Sequence, residues 1–106
     1  MNAFFSPERL WVLLVIAPWA EEALFRAGVQ EAFARHLRSS WAPVVFTALA
    51  FGIAHVLLRG EPAAFAVALP ALAIGALYRS RRRVRECAVL HAAMNALWLA
   101  WPLATA

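Results

Sequence analysis

The sequence predicts an all-α membrane bundle of about four transmembrane helices, with residues 1–106 forming one domain. Three observations carry this. Hydrophobic residues make up 64% of the chain, against about 45–50% in soluble proteins. Charged residues make up only 15%, against about 25% in soluble proteins, too few to cover a water-facing surface. Apolar runs at about 10–25, 41–58, 62–78 and 88–104 each approach the ~17–25 residues that cross ~30 Å of hydrocarbon as a helix.

The first run carries Pro18, which removes a backbone donor and is expected to break the helix near that point. Beyond it, residues 19–38 read as a continuous helix whose second half is amphipathic. There Val29, Phe33 and Leu37 oppose Gln30, Glu31, Arg35 and Arg38. Two placements suit that half: flat at the interface, or the continuation of a long tilted span. Short breaks at Ser39-Ser40, Arg59-Gly60-Glu61 and the arginine-rich stretch 79–85 separate the other three runs. Neighbouring helices should therefore be antiparallel. The runs are apolar nearly all round, as membrane spans are.

All ten basic residues are arginine, and all but Arg26 stand at the ends of apolar runs. Arg35, Arg38, Arg79, Arg81, Arg82, Arg83 and Arg85 fall at one set of ends, Arg9 and Arg59 at the other. This bias puts the first set in the cytoplasm and both termini outside. The formal charge of +4 is thus a topology signal, and no nucleic-acid partner is expected. Trp41 marks the arginine side; Trp11, Trp98 and Trp101 mark the opposite interface, and Trp19 is expected to pack internally. The single cysteine, Cys87, allows no internal disulfide and no CxxC metal pattern. No cleavable signal peptide is expected, because no basic stretch precedes the first apolar run.

Few strongly polar residues remain at depth: Glu21, Glu22, Arg26, His55, His91 and Asn95. A carboxylate near the bilayer centre costs about 2.5 to 3.5 kcal/mol on insertion scales, so two side by side point to function. Glu22 and Arg26 are four apart with the acid first, which favours an ion pair. Glu21 lies about 100° further round the helix and is free to point elsewhere. Phe51 with His55, and His91 with Asn95, share faces by the same spacing, and Phe51 is expected to pack under His55. Counted from the break at Ser39-Ser40, Glu21 and His55 differ in height by only about 3 Å, so antiparallel packing would bring them level. His91 and Asn95 reach that depth if the fourth helix begins near Ser80. A carboxylate facing a histidine can hold and deprotonate water. A second histidine and an amide can donate hydrogen bonds to a developing oxyanion, so the set permits hydrolysis.

These residues resemble the motifs of a known family. Glu21-Glu22-Ala23-Leu24-Phe25-Arg26 resembles the EExxxR motif of the CPBP membrane proteases (CaaX protease and bacteriocin-processing, also called ABI-type). Phe51-Gly52-Ile53-Ala54-His55 resembles their FxxxH motif, and His91-Ala92-Ala93-Met94-Asn95 their HxxxN motif. All three stand in family order on apolar helices, and the resemblance covers about residues 10–101. It implies a glutamic-type intramembrane endopeptidase in a bacterial inner membrane. By the match, Glu21 and His55 would activate water, His91 and Asn95 would form the oxyanion hole, and Arg26 would orient the site. Glu22 would orient it too, or be catalytic in its own right. Most members carry more helices around this core.

The expected substrate is a membrane-associated protein or peptide, with a C-terminal sorting or maturation tail as one niche. No cofactor is expected, and nothing in the residues argues for a prenyl pocket. The lipid bilayer is the surrounding partner, and a homo-oligomer or a second membrane protein is expected to support so small a body. Two other readings stay open. Glu21, His55 and His91 could hold zinc with an open position for water, although no HExxH pair is present. Alternatively, the chain could be a non-proteolytic immunity or scaffold protein.

Overall fold

A computed structural model describes residues 6–105. Their elements are all helical, and four rods account for nearly all of them. The first, α1, runs without interruption over residues 7–36. Ser6 caps it, its Oγ accepting from the Arg9 N–H, and Pro7 stands at the first helical position. Two stretches of α1, Val12–Ile16 and Ala23–Gln30, are wound in the wider π form.

The expected break at Pro18 is therefore not there. The proline ring would clash with the carbonyl four residues back, and it offers no N–H to the turn before it. The π turn over Val12–Ile16 lies directly in that position and absorbs the defect.

Ser39 closes the turn after α1, its Oγ accepting from the N–H groups of Trp41 and Ala42. Helix α2, Ala42–Arg59, follows with Pro43 in its first turn and ends at Gly60, whose φ of 70° makes a left-handed cap. A 3-10 segment, Pro62–Val67, leads into α3, Ala68–Arg81. Arg82 takes the left-handed cap there with φ 57°. Helix α4 occupies Val84–Thr105, so it does not begin near Ser80, because the αL residue ends α3 and a new helix has to start beyond it.

Small and aromatic residues bring the rods together. Ala48, Phe51 and Ala71 form one buried cluster with Phe25 and Val67 against it; Ile74, Tyr78 and Cys87 form another with Leu90 and Met94. At Gly75 three helices meet closely. A Cβ there would lie 3.0 Å from Val44 Cγ1 and 3.2 Å from Arg26 Nη1.

Helices α2 and the run Pro62–Arg81 are long and apolar enough to cross a membrane, yet only 33% of each is buried within the protein. Their outward faces carry large apolar side chains such as Leu57, Leu58 and Leu69. So large an exposed apolar surface suits lipid and not water. The tryptophans expected at the interfaces, Trp11, Trp41, Trp98 and Trp101, are all exposed. Trp19 is 45% exposed as well, contrary to the internal packing expected of it: its neighbour Pro18 takes the inward face.

Candidate active site

Adjacent residues on a helix point about 100° apart, and this separates the two glutamates. Glu22 turns inward and is fully buried, as is Arg26 one turn on. The Arg26 Nε donates to Glu22 Oε1 at 2.6 Å. The other carboxylate oxygen, Oε2, accepts from His91 Nδ1 on α4, also at 2.6 Å. Arg26 Nη1 donates to Gln30 Oε1 at 3.0 Å, and Gln30 Nε2 donates to the Gly75 carbonyl on α3 at 3.1 Å. A continuous buried chain thus joins α4, α1 and α3. Short hydrogen bonds between ionised groups in such a setting are the strong ones.

Glu21 is half-buried and opens on a cavity of about 820 Å³ that His55, His91 and Asn95 also line. Its Oε1 lies 3.5 Å from His55 Nε2. His55 Nδ1 sits 2.9 Å from the Phe51 carbonyl. A carbonyl only accepts, so Nδ1 carries the proton, and Nε2 of the neutral ring is an acceptor beside the Glu21 carboxylate. Two acceptors side by side can each take one hydrogen of a single water, turning its oxygen lone pair outward. That is the geometry of water activation.

The Phe51 ring packs against both histidines, 4.3 Å from His55 and 6.1 Å from His91 between ring centres. It also meets Phe25 edge-on at 4.9 Å. The aromatic stack fixes the two rings without adding a titrating group. On His91, Glu22 holds the Nδ1 proton and the ring orientation. Nε2 is left as a donor when the ring is doubly protonated and as an acceptor when it is neutral.

Asn95 comes to the same cavity by a backbone route. Its Nδ2 donates to the Leu13 carbonyl at 2.8 Å. In the π turn the Ala17 N–H goes to the Val12 carbonyl. The Leu13 carbonyl would take its bond from residue 18, and proline has no N–H to give. The Asn95 amide supplies that donor, keeping its second N–H and its oxygen for other partners.

The structure brings all six sequence-predicted residues to one neighbourhood, in two groups: Glu21 with His55, and Glu22 with Arg26 and His91, with Asn95 at the cavity wall. Among the described residues no set of three or more His, Cys or Glu side chains is disposed to hold a metal ion. Sequence reasoning missed Gln30, setting it on the polar face with Glu31; Gln30 is 3% exposed. Its position eight residues after Glu22 and four after Arg26, one polar residue per turn, was the signal available.

A family profile described as Type II CAAX prenyl endopeptidase Rce1-like matches residues 4–97, a span that holds all three motifs. No curated protein and no solved structure matches the chain. The profile covers nearly the whole sequence, and the chain belongs to the Type II CAAX prenyl endopeptidase Rce1-like family, a family of membrane proteases.

Proposed function

We propose that the chain is a glutamic-type intramembrane endopeptidase, one domain over residues 1–106 whose four rods all span the membrane. The observation that carries this is the division of labour at the motif: neighbouring glutamates face different histidines, one carboxylate open to a cavity and the other sealed. The polar residues at depth stand mainly on α1, which carries Glu21, Glu22 and Arg26, and on α4, which carries His91 and Asn95.

In the proposed reaction Glu21 and His55 Nε2 hold a water whose oxygen attacks the carbonyl carbon of the scissile peptide bond. The water proton passes to this pair as the C–O bond forms. The oxyanion accepts hydrogen bonds from His91 Nε2–H and the free N–H of Asn95, each worth about 2.7–4 kcal/mol in the transition state. Collapse breaks the C–N bond, and the proton held by the pair goes to the departing amine. Glu22 and Arg26 touch no reacting atom in this scheme: they hold His91. The largely apolar cavity wall suits an extended segment of a membrane-anchored protein, with a C-terminal sorting or maturation tail as the niche. In this reading the protein is a multi-pass chain of a bacterial inner membrane, the setting the motif resemblance implies, and the arginine bias supports its orientation there.

The test is a comparison of protein termini in membranes of cells expressing wild type, Glu21→Gln or His55→Ala at matched levels. New termini present with wild type and absent with both variants are expected. Termini unchanged among the three would leave these residues as structural contacts and favour an immunity or scaffold role.

A further inference from the structure

A second pocket, of about 380 Å³, opens at the arginine-rich end of the bundle, away from Glu21. Three helix ends build it: the C-terminal end of α1, the start of α2 and the end of α3. Its charged lining is Arg38, Arg79 and Arg82 against a single carboxylate, Glu31, so it is strongly positive. We propose that this pocket is a binding site for the phosphate-bearing headgroup of an anionic phospholipid.

The arginines are not equivalent, and the difference supports a built site. Arg79 is fixed: its Nε donates to the Ser40 carbonyl at 3.1 Å, its Nη2 to Ser40 Oγ at 2.8 Å, and its guanidinium lies 4.2 Å from the centre of the Trp41 ring. Arg82 pairs with Glu31, which also accepts from the Tyr78 hydroxyl at 2.8 Å. The Arg82 guanidinium lies 5.5 Å from the centre of the Tyr78 ring. Arg38 is exposed and has no hydrogen-bond or ion-pair partner among the described residues. Glu31 is thus shared by Arg82 and Tyr78, and the charges of Arg38 and Arg79 remain uncompensated within the pocket. Unpaired guanidinium N–H groups in a fork geometry match phosphate oxygens.

A lipid is the source that the surroundings favour over a soluble anion. Pro43 lines the pocket, and Phe46, one turn further along α2, is 46% exposed. Leu49 and Ile53 continue that exposed stripe down the helix. A headgroup seated between Arg38 and Arg79 would lay its acyl chains along this stripe. Clusters of arginine at the end of an apolar helix recognise anionic lipid in this way. The proposal is independent of the protease reading.

The experiment uses the full chain in detergent, titrated with phosphatidylglycerol or phosphatidylcholine and read by native mass spectrometry. Phosphatidylglycerol is expected to bind more tightly. Arg38→Gln should weaken it about five-fold, the effect of one arginine near a membrane surface. Arg85→Gln removes an exposed arginine outside the pocket and should leave binding within about two-fold. Equal weakening in both variants, no preference between the lipids, or displacement of phosphatidylglycerol by inorganic phosphate would each overturn the proposal. Should Arg38→Gln fail to fold, a photo-crosslinkable phosphatidylglycerol on the wild type decides. Crosslinks within residues 38–46 and 78–82 uphold the site, and crosslinks elsewhere refute it.

Discussion

Glu21 and Glu22 are chemically identical neighbours that end in opposite surroundings. The Glu22 carboxylate is fully buried and bound at 2.6 Å on each oxygen, by Arg26 and by His91. The Glu21 carboxylate keeps 29% of its surface exposed and meets His55 at a loose 3.5 Å. A charge held on both sides by short charge-assisted bonds is spent on structure. One facing a single acceptor across an open cavity still has hydrogen-bonding capacity for a water. The lesson is that a doubled glutamate in a membrane helix is two devices, one closed and one open, separated only by the helical turn.

The comparison can be broken from the open side first. His55→Ala removes the acceptor opposite Glu21, and hydrolysis should fall by about 10²–10⁴-fold, the range for losing a general base. Thermal unfolding in detergent should move less than for the closed side, since the ring is 23% exposed and makes one hydrogen bond among the described residues, to the Phe51 carbonyl. On the closed side the effect reverses. Arg26→Ala strands the Glu22 carboxylate and the Gln30 amide, and should cost about 3–5 kcal/mol of stability in the same unfolding assay.

Gly75→Ala sharpens the closed side without touching a charge. The added methyl would press on Val44, Arg26 and Gln30, with its nearest contact at 3.0 Å. A loss of about 1–3 kcal/mol is expected, typical of overpacking. Asn95→Ala leaves the Leu13 carbonyl without its donor and should cost about 1 kcal/mol, together with slower cleavage; a variant that unfolds like wild type would sink the pairing with Pro18. Smallest is Thr47→Val. The Thr47 hydroxyl is fully buried with no hydrogen-bond partner, so its removal should leave stability unchanged or raise it by up to about 1 kcal/mol.

Much of this was legible in the sequence, and the residues show why. The all-helical fold follows from composition and from the apolar runs, whose bounds near 41–58 and 62–78 lie within a few residues of Ala42–Arg59 and Pro62–Arg81. The separation of Glu21 from Glu22, and the level meeting of Glu21 with His55, follow from 100° per residue and 1.5 Å of rise. The π turns were not legible. They carry no residue signature, and they decide two details. Pro18 continues the helix instead of breaking it, and the Leu13 carbonyl turns to Asn95. The late start of α4 depended on the left-handed conformation of Arg82, an arginine where glycine is the usual choice.

The most direct measurement sets Glu21→Gln beside Glu22→Gln at matched expression, reading thermal unfolding in detergent and the appearance of new membrane-protein termini together. Glu21→Gln is expected to unfold with wild type and to produce no new termini, while Glu22→Gln is expected to unfold early, by about 3–5 kcal/mol. A Glu21→Gln protein that still cleaves, or two variants equally destabilised, would contradict the division of labour on which the account stands.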